Sequence, residues 1–249
     1  MKGLIIKDLY CLKKQFVTFA FIISGVVAVA IMFVLSERFG NLRFAVSDME
    51  ADGFDIASVI KTAVMFFMLL PLVCTGNIAD SFAYDKAASF YKTGASLPVS
   101  TGKRVFSKFV TAMLFIAVGL AVDIATAAVI SSVSDIIMFV KCFGVLVSLA
   151  SCMMIYVSFV ITLSYAGVSS AYSTFLPLAA ATVIILAFKA KDIITALIND
   201  DFGSMGRIAR TVIGLTETRP YFFLLAAAVT AAVCFAVSIR LAERKRGVA

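Results

Sequence analysis

The chain has 249 residues, of which 62% are hydrophobic and only 15% are charged, and its mean hydropathy is +1.04. Soluble domains carry roughly 45–50% apolar and about 25% charged residues, so this composition excludes a soluble globular fold and predicts lipid as the solvent for much of the chain. The net charge of +7 comes from basic residues beside apolar runs, which indicates membrane topology rather than nucleic-acid binding.

Residue types that the sequence lacks exclude several chemistries. There is no histidine, which rules out a His–metal site, a Ser/His/Asp triad and a Cys/His nucleophile pair. Five cysteines occur without CxxC spacing: Cys11, Cys74, Cys142, Cys152 and Cys234. They are expected to be free thiols that behave as small hydrophobic residues. We therefore expect no enzymatic activity and no metal site in this chain.

Six apolar runs follow one another along the chain, at residues 16–35, 56–79, 105–133, 136–166, 174–188 and 221–241. Each run supplies the roughly 20 apolar residues that cross about 30 Å of hydrocarbon. In lipid these runs should be helices, because unpaired backbone groups are costly there. The first run is longer than a signal-peptide core, which favours a retained anchor. The sequence therefore predicts an all-α membrane protein, with residues 1–249 forming one transmembrane domain.

The placement of charge predicts the orientation of this bundle. With the N-terminus in the cytoplasm, more than half of the 22 Lys and Arg residues lie on the inner side, and most acidic residues lie outside. This asymmetry follows the positive-inside rule. Both termini are therefore predicted to be cytoplasmic.

A short helix is predicted ahead of the first span, over Met1–Gln15. Apolar side chains share one face of it, at Leu4, Ile5, Leu9 and Leu12. Such an amphipathic helix can rest in the headgroup layer. The alternative is a cytoplasmic extension of the first span, which the same pattern allows.

The segment between the second and third spans has aromatic residues at helical spacing. Phe82, Lys86 and Phe90 recur every four residues, and Tyr91 adjoins them. Pro98 then favours an extended chain before the third span. This pattern predicts a short cytoplasmic helix with exposed aromatic side chains, which suits a docking surface for a partner protein. The alternative is an interfacial helix whose aromatic rings dip into the headgroups.

The same segment resembles the ABC-2 type permeases. In that family an acidic pair is followed by the pattern slPvsR..iv..K between the second and third helices. Here the matching residues are Phe82, Asp85, Phe90, Tyr91, Ser96-Leu97-Pro98-Val99-Ser100, Arg104 and Lys108. Ile5-Ile6-Lys7-Asp8-Leu9 is similar to the N-terminal helix of the family. The sequence departs from the pattern at Lys86, where a second acid is common, and at the later position of Arg104.

The resemblance implies a function. Within the family, the chain most resembles the small permeases of bacterial peptide, lantibiotic and phenol-soluble modulin exporters. This resemblance implies a bacterial plasma-membrane protein that moves a hydrophobic or peptide substrate outwards and pairs with a second permease half. It also implies that the segment is a coupling helix that contacts a separate ABC ATPase subunit. The implied contact residues are Phe82, Asp85, Lys86, Phe90, Tyr91, Leu97 and Pro98.

The sequence around Ser100–Arg104 faintly resembles a phosphate-binding loop but lacks its essential residues. A P-loop needs a glycine five residues before its Gly-Lys pair and Ser or Thr after the lysine. Those positions hold Leu97 and Arg104. We therefore expect no cofactor in this chain, with ATP and Mg²⁺ bound by the partner ATPase.

Asp123 stands within the third predicted span. A carboxylate there costs at least about 2.5 kcal/mol on insertion scales, so it is expected to line a translocation path or contact another helix. Two other functions stay open on this evidence. One is a secondary transporter that uses Asp123 as a proton carrier, and the other is a non-transporting membrane scaffold or immunity protein that sequesters peptides.

Overall fold

The computed structural model describes residues 2–39, 79–87, 99–133, 139–181, 183 and 219–246. Within these ranges all regular secondary structure is helical. The helices are α1 (Lys2–Cys11), α2 (Lys13–Phe39), α3 (Ala79–Ala87), α4 (Thr101–Val133), α5 (Phe139–Ala166) and α6 (Pro220–Arg246). Residues 170–181 are helical as well.

Among the described residues, three helices are long and apolar enough to cross a membrane, over Thr101–Ser132, Cys142–Ala166 and Pro220–Arg244. They coincide with the predicted spans 105–133, 136–166 and 221–241. A shorter apolar stretch, Val17–Val29 in α2, falls within the predicted span 16–35. The helical residues 170–181 overlap the predicted span 174–188, whose remainder lies largely outside the described residues, as does nearly all of 56–79. Over the part of the chain that the structure describes, the predicted all-α membrane architecture is thereby confirmed.

A glycine ends α5. Gly167 has a φ of 99°, a left-handed conformation that glycine adopts without a steric penalty. Its N–H donates to the carbonyl of Ser164, and the N–H of Val168 donates to the carbonyl of Leu163. This pair of bonds is a Schellman motif, which satisfies carbonyls that the helix end would leave unpaired.

The core of the bundle is formed by α4, α5 and α6. The Phe235 ring of α6 packs edge-on against Phe106 and Phe109 of α4. Ser238 of α6 donates a hydrogen bond of 3.1 Å to Thr162 of α5. These contacts join the start of α4 to the ends of α5 and α6, so α5 and α6 run parallel to each other and antiparallel to α4.

One end of the bundle gathers segments that are distant in sequence. Gly102 lies beside Ile239, and Phe82 of α3 packs against Tyr165 near the end of α5. Helix α1 packs on α3 and on α4. We call this the basal end: α1, α3, the N-terminus of α4 and the C-termini of α5 and α6. It also holds both ends of the described chain, Lys2 and Arg246.

The predicted N-terminal helix is present, and its predicted apolar face is partly or fully covered at Leu4, Ile5, Leu9 and Leu12. It ends at Cys11, and Leu12, the single residue between α1 and α2, is buried in the core. Asp8 is buried beside it, whereas Ile6 is exposed. The inward face of α1 therefore carries a charged residue that the apolar pattern did not predict.

Candidate functional site

Four charged side chains from three helices meet at the basal end. They are Lys7 and Asp8 of α1, Asp85 of α3 and Lys108 of α4, which we call the ion cluster. Lys7 and Asp85 are 78 positions apart in sequence. Charged residues are seldom buried unless they are paired, so this cluster is a built feature of the fold.

Lys108 is the centre of the ion cluster. Its Nζ lies 2.8 Å from Oδ1 of Asp8 and 2.7 Å from Oδ2 of Asp85, and only 4% of the side chain is exposed. It also donates to the Ser81 hydroxyl at 3.1 Å and sits 4.9 Å from the centre of the Phe82 ring. The ammonium group therefore replaces water with two carboxylates, a hydroxyl and an aromatic face, the contacts that a buried cation needs.

Lys7 forms the outer part of the ion cluster. Its Nζ lies 2.6 Å from Oδ1 of Asp85 and 3.2 Å from Oδ1 of Asp8, and 26% of its side chain is exposed. Burial by itself lowers the pKa of Lys7. The hydrogen bond to Asp85 and the negative charges of Asp8 and Asp85 outweigh that effect, so the pKa is raised above its ordinary 10.5. Lys7 is therefore charged at every physiological pH.

Asp8 links α1 to α4 through two contacts. One oxygen pairs with Lys108, and the other accepts a 3.0 Å hydrogen bond from the Ser107 hydroxyl. With two lysines and two aspartates, the ion cluster is electrically balanced. Removing one member of a buried pair leaves an uncompensated charge and typically costs about 3–5 kcal/mol. The cluster therefore joins α1, α3 and α4 at the basal end.

The local sequence of each helix points these groups inward. Asp8 is one turn before Leu12, which is buried in the core, so the two share a face of α1. Lys108 lies between Val105 and Thr111 on the buried face of α4. In the sequence, the signal for this cluster is a charged residue at a helical position that otherwise faces inward. The hydropathy pattern alone does not show that these charged residues contact one another.

The structure corrects the prediction of exposed aromatic side chains at Phe82. Phe82 is only 6% exposed, because its ring packs edge-on against Tyr165 with centroids 5.3 Å apart and lies under the Lys108 ammonium. Asp85 is buried in the ion cluster. Both residues hold α3 against the bundle, while Tyr84 is exposed on its outer side.

The remaining predicted contact residues lie, wholly or in their side chains, outside the part of the chain that the structure describes. Lys86 is part of α3, but its side chain is outside the described residues. Phe90, Tyr91, Leu97 and Pro98 lie outside them entirely. Their contact with an ATPase stays a prediction.

Asp123 is a second buried charged group on α4, and it is fully enclosed. Neither of its carboxylate oxygens has a hydrogen-bond partner among the described residues. The nearby Thr126 hydroxyl donates to the backbone carbonyl of Val122 instead. A carboxylate in this situation lacks the compensation that buried charges usually have, so it is a candidate for contact with a group outside the described residues.

The part of the chain that the structure describes holds no group of three or more His, Cys, Asp or Glu side chains that could bind a metal ion. The thiols of Cys142 and Cys234 are free and buried. The charged chemistry of the described residues therefore concentrates in the ion cluster and at Asp123.

The chain matches a family of known proteins. The family described as ABC-2 family transporter protein matches residues 54–244, which is most of the chain and includes α3 to α6. Asp85 and Lys108 lie within the match, and Lys7 and Asp8 precede it. No curated protein and no solved structure matches the chain significantly. The resemblance seen in the segment around Leu97–Ser100 is confirmed by a match over three further helices, and this chain belongs to the ABC-2 family of transporter proteins.

Proposed function

We propose that this chain is the permease subunit of an ABC exporter that moves a hydrophobic or amphipathic peptide out of the cell. Family membership makes it a membrane permease of an ABC transporter. The observation that supports the proposed coupling to an ATPase is the ion cluster, because it fastens α3, the helix expected to contact the ATPase, directly to α4. A force applied to α3 therefore reaches a membrane-spanning helix without passing through a loop.

The proposed count of six spans is supported by where the described helices begin and end. Helix α2 leaves the basal end and, with 27 residues at roughly 1.5 Å each, is about 40 Å long. Because α3 is again at the basal end, the chain has to return between them. Helix α5 ends at the basal end and α6 begins at the opposite end, so the chain crosses once more between them. With α2, α4, α5 and α6, these two crossings make six.

The proposed orientation places the basal end in the cytoplasm. Exposed basic residues gather there: Lys2, Lys13, Lys103, Arg240 and Arg244. Basic residues beside membrane spans favour the cytoplasmic side. In this orientation α3 and both termini face the compartment that contains ATP, and the membrane is the bacterial plasma membrane.

The proposed mechanism is alternating access between two permease halves. ATP and Mg²⁺ belong to a separate ABC ATPase subunit, and this chain hydrolyses nothing. Closure of the ATPase subunits presses on α3, and the ion cluster passes that movement to α4 and α1. The second permease half, identical or different, completes the path for the cargo. Asp123 is proposed to line this path or to contact another helix within it.

One observation favours a second candidate, a secondary transporter. Asp123 is a fully buried carboxylate without a described hydrogen-bond partner, and intramembrane acids often belong to proton pathways. The two functions separate in energised cells. Transport that stops on ATP depletion supports the exporter, and transport that stops only when the proton gradient is dissipated supports the secondary transporter.

The direct test of the exporter is co-purification with candidate ABC ATPase subunits of the same organism. We expect the wild-type chain to retain one of them, and Phe90→Ala or Tyr91→Ala to reduce retention at least several-fold, because aromatic anchors dominate such contacts. The matched control is Tyr221→Ala, which removes an exposed aromatic ring from the opposite end of the bundle. Equal ATPase retention by the wild type and all three variants would contradict the docking role.

A further inference from the structure

We propose that Lys7 is a positioning residue that works as a releasable latch between α1 and the coupling helix α3, while Lys108 is the permanent joint between α3 and α4. The inference rests on the proposed function, because it concerns how movement of α3 is shared between the two neighbouring helices. It assigns α1, which precedes the region matched by the family, a part in coupling ATP hydrolysis to transport.

The two lysines of the ion cluster differ in how much water they reach. The Lys108 side chain is 4% exposed, whereas that of Lys7 is 26% exposed. An ammonium group that leaves its carboxylate partners inside the protein loses them without gaining water, which is costly. A partly exposed ammonium group regains hydration as it leaves, so the cost is much lower. Of the two joints to α3, the one made by Lys7 is therefore the one that can open.

The carboxylate of Asp85 is divided between the two lysines. Its Oδ1 receives Lys7 and its Oδ2 receives Lys108, at 2.6 and 2.7 Å. When Lys7 withdraws, Asp85 keeps its bond to Lys108, and Asp8 keeps both Lys108 and the Ser107 hydroxyl. The α3–α4 joint therefore persists while the α1–α3 joint is open.

The open arrangement also contains a restoring force. Without Lys7, the single positive charge of Lys108 faces the two negative charges of Asp8 and Asp85. The excess negative charge lies in a poorly hydrated site, where charge interactions are stronger than in water. It attracts the Lys7 ammonium group back, so the joint can close again once the push on α3 ends.

The connection between α1 and α2 carries this movement further. The helices are separated only by Leu12, which is buried in the core and whose N–H is shared between the carbonyls of Asp8 and Leu9. Leu12 and Asp8 therefore hold the second half of α1 in place, and the part that can move is the preceding turn, which carries Ile6 and Lys7. A closed Lys7 latch joins α3 directly to α1 and hence to α2, whereas an open latch leaves α3 and α1 connected only through Lys108 of α4.

The test uses pulsed electron paramagnetic resonance to measure distances in the complex of this chain with its ATPase subunit, in lipid nanodiscs. The native cysteines are replaced by alanine, and spin labels are placed at exposed positions. One pair, Ile6→Cys with Tyr84→Cys, spans α1 and α3. The control pair, Tyr84→Cys with Lys103→Cys, spans α3 and α4. Each is measured without nucleotide and with ATP, Mg²⁺ and vanadate.

We expect the α1–α3 distance to change between the two states and the α3–α4 distance to stay constant. Lys7→Met should abolish the dependence of the α1–α3 distance on nucleotide, and Lys7→Arg should preserve it. Lys2→Met, at an exposed lysine of the same helix, should behave as the wild type. A merely structural role for Lys7 predicts that neither distance responds to nucleotide.

Two results would overturn the inference. The first is an α1–α3 distance in the wild type that is the same in both states, which needs no folded Lys7 variant to establish. The second is an α3–α4 distance that changes as much as the α1–α3 distance. Failure of the wild-type chain to bind any ATPase subunit is a different result, because it rejects the proposed function and the latch together.

Discussion

Two buried charged groups of opposite sign lie on α4 in contrasting surroundings. Lys108 has two carboxylates and a hydroxyl within hydrogen-bonding distance. Asp123 is about 22 Å further along the helix, at roughly 1.5 Å per residue, and its carboxylate has no hydrogen-bond partner among the described residues. The first charge joins three helices of the chain. No described residue stabilises the charge of Asp123 by a hydrogen bond. The role of Asp123 therefore has to be sought in transport or in contacts with groups beyond the described residues.

The largest expected effect comes from breaking the compensated site. Lys108→Met keeps the length of the side chain and leaves Asp8 and Asp85 with surplus negative charge, so we expect a loss of stability of about 3–5 kcal/mol. Because the chain has no tryptophan, unfolding is best followed by circular dichroism of the purified protein in detergent.

The control for this measurement is Lys103→Met, an exposed lysine just over one turn earlier on α4. We expect it to change stability by less than about 0.5 kcal/mol, as most exposed substitutions do. Equal melting temperatures for the Lys103 and Lys108 variants would show that the ion cluster does not hold the basal end together.

A smaller effect tests whether the cluster acts as a unit. Asp85→Asn alone should destabilise the protein, but in the Lys108→Met background the same change removes a surplus charge. We therefore expect the double variant to be more stable than the sum of the single variants predicts, by about 0.5–3 kcal/mol. The measurement is a double-mutant cycle of melting curves, and strict additivity would show that Lys108 and Asp85 do not interact.

The same contrast shows what could be predicted from the sequence. Hydropathy identified the apolar spans of α4, α5 and α6, because burial in lipid demands long apolar runs. The predicted apolar span starts at residue 105, four residues into α4, because the polar first turn at Thr101–Arg104 is helical but not apolar. The end of α5 was predicted correctly at Ala166, where Gly167 terminates the helix.

The ion cluster was not predicted, for a physical reason. Its pairs join residues far apart in sequence, and only the packing of α1 and α3 on α4 brings them together. The sequence contained a weaker signal, since Asp8 shares a helical face with Leu12 and Lys108 follows the apolar pattern of α4. Phe82 was expected to be exposed because aromatic spacing on a short helix does not reveal which face is covered.

The uncompensated site should respond in the opposite direction. Asp123→Asn removes a charge that has no described partner, so we expect stability to be unchanged or to rise by about 1 kcal/mol, in contrast to the loss expected from Asp85→Asn. Transport, measured as efflux from energised cells, should fall if Asp123 lines the path. A melting temperature lowered as much as by Asp85→Asn would instead reveal an ion-pair partner beyond the described residues.

The smallest effect concerns the exposed edge of the ion cluster, and its pH dependence has a definite sign. The pKa of Lys7 is raised above 10.5 in the folded state, because its interactions with Asp85 and Asp8 outweigh the effect of burial. The contribution of Lys7 to the stability of the fold is therefore fully present below pH 10.5 and is lost as the pH rises through the folded pKa.

Because Lys7 is partly hydrated, we expect that contribution to be at most about 1 kcal/mol. The difference in melting temperature between the wild type and Lys7→Met should be constant at lower pH and shrink only above 10.5, whereas Lys2→Met should show no difference at any pH. A difference that disappears well below 10.5 would mean that burial dominates at Lys7, and that its bonds to the two aspartates are weaker than the geometry indicates.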